Sequence, residues 1–119
     1  MHLKVYGIPN CDTVKKAQLW LKKHGIEYDF HDYKKEGVSK AKLKEWCSLA
    51  NWEVIFNLRS STWKNLAKEA VALPGTQAQA IAIMEQNHSI IKRPIVEVNG
   101  EIIVGFDEKE YFQKLVNQS

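Results

Sequence analysis

The sequence is poor in sulfur. Only two cysteines, Cys11 and Cys47, occur in 119 residues. That is too few for a disulfide scaffold, and their separation excludes both a CxxC pair and a zinc-ligand spacing. The four histidines, His2, His24, His31 and His88, are scattered and fit no ligand pattern, so no metal is expected. No apolar run approaches the ~20 residues of a membrane span, so no membrane contact is expected. The opening Met1-His2-Leu3-Lys4-Val5-Tyr6 lacks the apolar core of a signal peptide. The expected location is therefore the cytoplasm, where thiols stay reduced. Arginine is scarce beside lysine, and the basic residues are dispersed rather than gathered in a stripe, which gives no sign of direct nucleic-acid binding. The net charge of +3, carried largely by lysines on predicted helix surfaces, reads as a solvated exterior. No repeat, low-complexity segment or linker divides the chain, and its length suits one domain, residues 1–119, with a real core.

What the chain does have is a cysteine in an unusual setting. Leu3-Lys4-Val5-Tyr6-Gly7-Ile8 is short, apolar and rich in β-formers, which predicts a strand. Pro9-Asn10 breaks it. From Thr13 to His24 a helical pattern puts Ala17, Trp20, Leu21 and His24 on one face. Cys11 thus falls between a strand and a helix start. The free N–H groups and the dipole there favour an anion, and Lys15 and Lys16 add positive charge. Such a setting lowers a thiol pKa and favours the reactive thiolate.

Further along, Gly25 is a plausible residue to end that helix. Glu27 to Tyr33 reads as a half-exposed strand at a sheet edge, giving a βαβ unit with parallel strands and a right-handed crossover. Lys34 to Val38 reads as a polar loop. Ser39 caps a helix whose Leu43, Trp46, Cys47 and Ala50 share an apolar face, so Cys47 reads as a small core hydrophobe. A short helical turn follows in Asn51 to Leu58. Ser60-Ser61-Thr62 caps a helix to about Ala72, Pro74-Gly75 breaks it, and Thr76 caps another to about Asn87, with Ala78, Ile81, Ala82 and Met84 inward. The stretch from residue 39 to residue 88 is therefore expected to be a wholly helical insertion. Asn99-Gly100 between Ile95–Val98 and Glu101–Val104 predicts a hairpin, because both turn residues need positive φ. Asp107 with Glu110 resembles a capping box for a last helix, with Phe106 and Tyr111 as its staple.

This order, with a cysteine after the first strand and Pro94 heading the third, resembles the thioredoxin-like arrangement. The resemblance implies a thioredoxin-like (glutaredoxin-like) α/β fold. A central mixed four-stranded sheet is expected, with the helical insertion lying between its βαβ and ββα halves. It also implies a cis proline beside the thiol; X–Pro is the one kind of bond in which cis is cheap. Closer motifs run from Tyr6-Gly7-Ile8-Pro9-Asn10-Cys11-Asp12-Thr13-Val14-Lys15-Lys16-Ala17 through Tyr28-Asp29-Phe30-His31-Asp32-Tyr33. Asn57-Leu58-Arg59, Ile90-Ile91-Lys92-Arg93-Pro94-Ile95 and Val104-Gly105-Phe106 follow. Together they resemble the arsenate reductase (ArsC) family, in its YffB-like and Spx-like branch.

The resemblance makes Cys11 the nucleophile. Lys15 stands where arsenate reductases carry an arginine, and Arg59 and Arg93 match two arginines that hold the oxyanion. Guanidinium forks suit oxyanions and carboxylates. The N–H groups of Thr13 and Val14, with Lys15, Arg59, Arg93 and Pro94, would frame an oxyanion or glutathione site. Two departures stand out: Gly105 replaces a third oxyanion arginine, and Val14 replaces a serine, or the second cysteine of the Spx switch. The implied function is a monothiol oxidoreductase, linked to glutathione or glutaredoxin as reductant or co-substrate, with arsenate a poor substrate. The alternative implied by the same branch is a regulator that binds RNA polymerase without touching DNA.

Overall fold

A computed structural model describes residues 2–69 and 72–117. The chain divides into two compact units, residues 1–32 with 93–119, and residues 33–92.

The first unit is built on a four-stranded sheet. Strand β1 is Leu3–Gly7, and helix α1, Asp12–Lys23, leads to β2, Tyr28–Asp32. After the second unit the chain returns as β3, Ile95–Val98, and β4, Glu101–Val104. The strand order is β2-β1-β3-β4. β1 and β2 are parallel, with Leu3 opposite Tyr28, as a helical crossover requires. β1 and β3 are antiparallel, with Leu3 opposite Val98 and Tyr6 opposite Ile95. β3 and β4 form the expected hairpin, and its turn residues Asn99 and Gly100 have φ of 50° and 77°. This is the mixed thioredoxin-like sheet, and β2 lies at its edge as expected.

One face of the sheet carries a core of Leu3, Val5, Val96 and Ile103 against Ala17, Trp20 and Leu21 of α1. The last helix, α7, is the short Glu108–Tyr111, followed by a single π-type turn over Phe112–Val116. Asp107 caps it, accepting from the Lys109 and Glu110 N–H groups. The Phe106 and Tyr111 rings meet edge to face at 4.9 Å, and Tyr111 meets Trp20 at 5.5 Å. Aromatic pairs in that geometry add stability beyond their buried area. His24, expected on the apolar face, is exposed. Its ring stacks on Trp20 at 3.9 Å, and its Nδ1 lies 2.9 Å from the Trp20 carbonyl, so the imidazole keeps its polar edge satisfied.

The second unit is helical. It contains α2 (Tyr33–Glu36), α3 (Lys40–Leu49), α4 (Trp52–Ile55), α5 (Ser61–Lys68) and α6 (Gln77–Gln86). Ser39, Asn51, Ser60 and Thr76 each cap a helix through a side-chain oxygen. Trp46, Ile55, Phe56, Met84 and Ile90 are buried here, and Phe56 meets Trp63 edge to face at 5.2 Å.

Several expectations change. Tyr33 starts α2 instead of ending a strand, and the expected loop over Lys34 to Val38 is largely this helical turn, closed by the Gly37 N–H donating to the Tyr33 carbonyl. The helix expected to reach Ala72 ends at Lys68, and residues 70 and 71 lie outside the described residues. α6 buries Ala80, Ile81 and Met84, while Ala78 and Ala82 face outward. Alanines on both sides of that helix left its apolar face without a clear phase.

Candidate active site

The site begins where β1 stops. Cys11 is the N-cap of α1, with extended backbone, and its carbonyl accepts from the Lys15 N–H at 2.9 Å. The side chain forms no bond of ordinary cap geometry. The sulfur nonetheless lies under the first-turn N–H groups. Burial pushes the Cys11 thiol up. The Val14 N–H, the Arg93 side chain, the Thr13 N–H and the Arg93 charge push it down, and the net result is below the ordinary thiol value. Hydrogen bonds and positive charge directed at the anion explain that direction.

Val14 faces the other way. Its side chain is fully buried and packs against the end of β1 at Gly7. A residue in the first turn of α1 thus gives its main chain to the thiol and its side chain to the core.

Arg93 and Pro94 arrive at the head of β3, and the peptide bond between them is cis. Pro94 is buried, and its carbonyl accepts from the Gly105 N–H at 2.8 Å. The Gly105 carbonyl in turn accepts from the Tyr111 hydroxyl at 2.8 Å, and Gly105 has φ of 83°. Gly105 therefore has main-chain ties on both sides and no side chain to offer an anion.

The structure brings Cys11, Thr13, Val14, Arg93 and Pro94 together in the first unit. Lys15 is exposed on α1, and the side-chain positive charge acting on the thiol comes from Arg93. Arg59 belongs to the helical unit, exposed on the turn before α5, where its N–H donates to Asn57 Oδ1 at 3.1 Å. Cys47 is half-buried on α3, and burial pushes its thiol up, the opposite direction from Cys11. Sequence reasoning missed Gly7. The available signal was a glycine inside a strand pattern, which often marks a close approach of another segment.

Sheet order, the parallel β1–β2 pair with its crossover helix and the thiol at that helix start together put the chain among proteins of thioredoxin-like fold. The solved YFFB protein has the same architecture, with a TM-score of 0.90 at 38% identity over 96% of this chain and 99% of that one. The chain belongs to the ArsC family, whose model matches residues 6–113. An uncharacterised protein of Haemophilus influenzae is 43% identical over 92% of this chain and 95% of its own length. The global transcriptional regulator Spx of Listeria innocua is 28% identical over 89% of this chain and 81% of its own length. Among the described residues no group of three His, Cys, Asp or Glu side chains could hold a metal ion, and no helix is long and apolar enough to cross a membrane.

Proposed function

We propose that the protein is a cytoplasmic monothiol oxidoreductase that uses Cys11 as nucleophile and glutathione, directly or through glutaredoxin, as reductant. The observation that carries this reading is the Cys11 thiol, held below its ordinary pKa against burial by two main-chain N–H groups and Arg93. The Cys11 thiolate attacks the sulfur of an oxidised substrate, such as the glutathionyl sulfur of a mixed disulfide. One S–S bond forms, another breaks, and the departing thiolate takes a proton from water. A second glutathione thiolate then attacks the Cys11–glutathione disulfide, which frees Cys11 and leaves oxidised glutathione. The incoming glutathione thiolate thus supplies the electron pair that leaves with the substrate thiolate, and its own sulfur is oxidised to the disulfide. An external thiol is required in this scheme because Val14 occupies the position of a nearby second cysteine.

Thr13 and Val14 stabilise negative charge through their N–H groups, as helix starts do. Arg93 matches a glutathione carboxylate or an oxyanion. Lys15 and Arg59 enter this reading from the family resemblance alone. Arsenate suits the site poorly because Gly105 brings no guanidinium. Turnover of a glutathione mixed disulfide by the purified protein and by Cys11→Ser tests the reading. Loss of turnover in the variant supports it, and equal turnover refutes it.

A second reading, a regulator that docks on RNA polymerase, is favoured by the identity to Spx. The helical unit carries exposed Leu49, Val54 and Leu58 that could serve such docking. Pull-down with RNA polymerase separates the two. The regulator reading requires binding that survives Cys11→Ser and Arg93→Ala, whereas the reductase reading requires no such binding.

A further inference from the structure

We propose that Gly7 is a positioning residue for the thiol: its missing side chain lets the first turn of α1 seat on the end of β1, and this seating holds Cys11 at Arg93. A methyl group added at Gly7 would sit 2.8 Å from Val14 Cγ2 and 3.4 Å from Cγ1. The first distance lies far inside van der Waals contact. Valine has one strongly preferred rotamer in a helix, so Val14 cannot swing aside cheaply. It is fully buried, so it has no open space to enter either. The helix start itself must move.

That movement matters because of what lies on each layer. Cys11, Thr13 and Val14 travel with α1. Arg93 does not, because it precedes β3, which is paired with β1. Tyr6 lies opposite Ile95 at the end of that ladder, and Gly7 and Pro94 are the residues that adjoin this last pair in sequence. The seating of Val14 on Gly7 therefore sets the separation between the thiol-bearing turn and the Arg93–Pro94 segment at the level of the site. Gly7 has no positive φ that would demand glycine for backbone reasons. Close approach is the physical reason for glycine there.

The inference rests on Cys11 being the reacting group, but alkylation reads the thiol itself, whether or not the protein reduces any substrate. A failed reductase assay and a failed test of Gly7 are thus distinguishable. The test is a double-mutant cycle. Val14→Ala keeps the N–H and removes both Cγ atoms, and the next nearest atom to the added methyl, Val14 Cβ, is 3.7 Å away, an ordinary contact. Iodoacetamide rates against pH are measured for Cys11 in the wild type, Gly7→Ala, Val14→Ala and the double variant, with folding followed by circular dichroism. The expected result is that Gly7→Ala slows alkylation near neutral pH about threefold, from a weakened Arg93 interaction of the size found for partly exposed charge pairs. In the Val14→Ala background the same change should have no effect. Should Gly7→Ala fail to fold, the double variant and Val14→Ala decide alone and must show the same profile. Two outcomes overturn the proposal: a folded Gly7→Ala with the wild-type profile, or a double variant that differs from Val14→Ala.

Discussion

Replacing Arg93 by alanine tests the electrostatic argument directly. The guanidinium acts on the Cys11 sulfur twice, as a hydrogen-bond donor and as a charge. Both effects favour the thiolate, so Arg93→Ala should move the alkylation profile toward higher pH. The sulfur is partly exposed, so solvent screens the pair. A charge pair in such a position contributes up to ~1 kcal/mol, which corresponds to about a fivefold loss of thiolate at neutral pH. The Val14 and Thr13 N–H groups remain, so the variant should stay more reactive than an ordinary thiol. At alkaline pH, where both proteins are fully ionised, the variant should match or exceed the wild type, because a more basic thiolate is the better nucleophile. Arg93→Lys keeps the charge and loses the fork, and should fall between the two. The assay is iodoacetamide labelling from pH 6 to 10 in a Cys47→Ser background. Wild-type rates at every pH in a folded Arg93→Ala would refute the reasoning and leave the helix start as the whole cause.

Other expectations follow from the same geometry. In the folded wild type Cys47 should label more slowly than Cys11 and need a higher pH, because burial raises its pKa; equal rates by mass spectrometry would contradict this. The folded-state pKa of Cys11 is depressed, so its thiolate stabilises the fold above the unfolded-state value and that stabilisation disappears as pH falls through the folded-state pKa. The stability gap between wild type and Cys11→Ser, from urea unfolding, should therefore widen as pH rises toward 9 and close in acid. Tyr111 is raised well beyond the ordinary tyrosine range, chiefly by burial and then by Glu110. Its stabilisation is present below the unfolded value of ~10 and lost as pH rises further. Tyr111→Phe should lose about 1 kcal/mol at neutral pH with the Gly105 hydrogen bond, yet lose less than the wild type between pH 10 and 12. Arsenate turnover with glutathione and glutaredoxin should be at background level, and efficient turnover would show that Gly105 does not decide the substrate.

The sequence made some features legible because each depends on local chemistry. Asn99-Gly100 announced the hairpin, since few residue pairs accept two positive φ angles. Ser39, Ser60, Thr76 and Asp107 announced helix starts through their short oxygen-bearing side chains. Cys11 was legible as a helix-start thiol because Pro9-Asn10 ends the strand just before it and the helical pattern begins just after it. Other features depend on contacts distant in sequence. The burial of Val14 against Gly7, and the chain of bonds from Pro94 through Gly105 to Tyr111, exist only once sheet and helices are assembled. Tyr33 reads as a strand residue by its aromatic ring, but it starts a helical turn. The family resemblance singled out Arg59, whereas residue patterning gave it no role beyond an exposed charge.

Val14 turns its side chain inward and its N–H toward the sulfur, and this divides what substitution can alter. The first-turn donors at the thiol, the Thr13 and Val14 N–H groups, belong to the main chain, so nearly every amino acid at positions 13 and 14 would supply them. Proline alone would abolish a donor, because it has no N–H. Thr13 is exposed and should accept polar, charged or apolar replacements with the thiol unchanged. Position 14 is limited by volume, since it is fully buried over Gly7. A library randomised at these two positions and selected for rapid labelling of Cys11 should return wide variety at 13, small side chains at 14, and proline at neither.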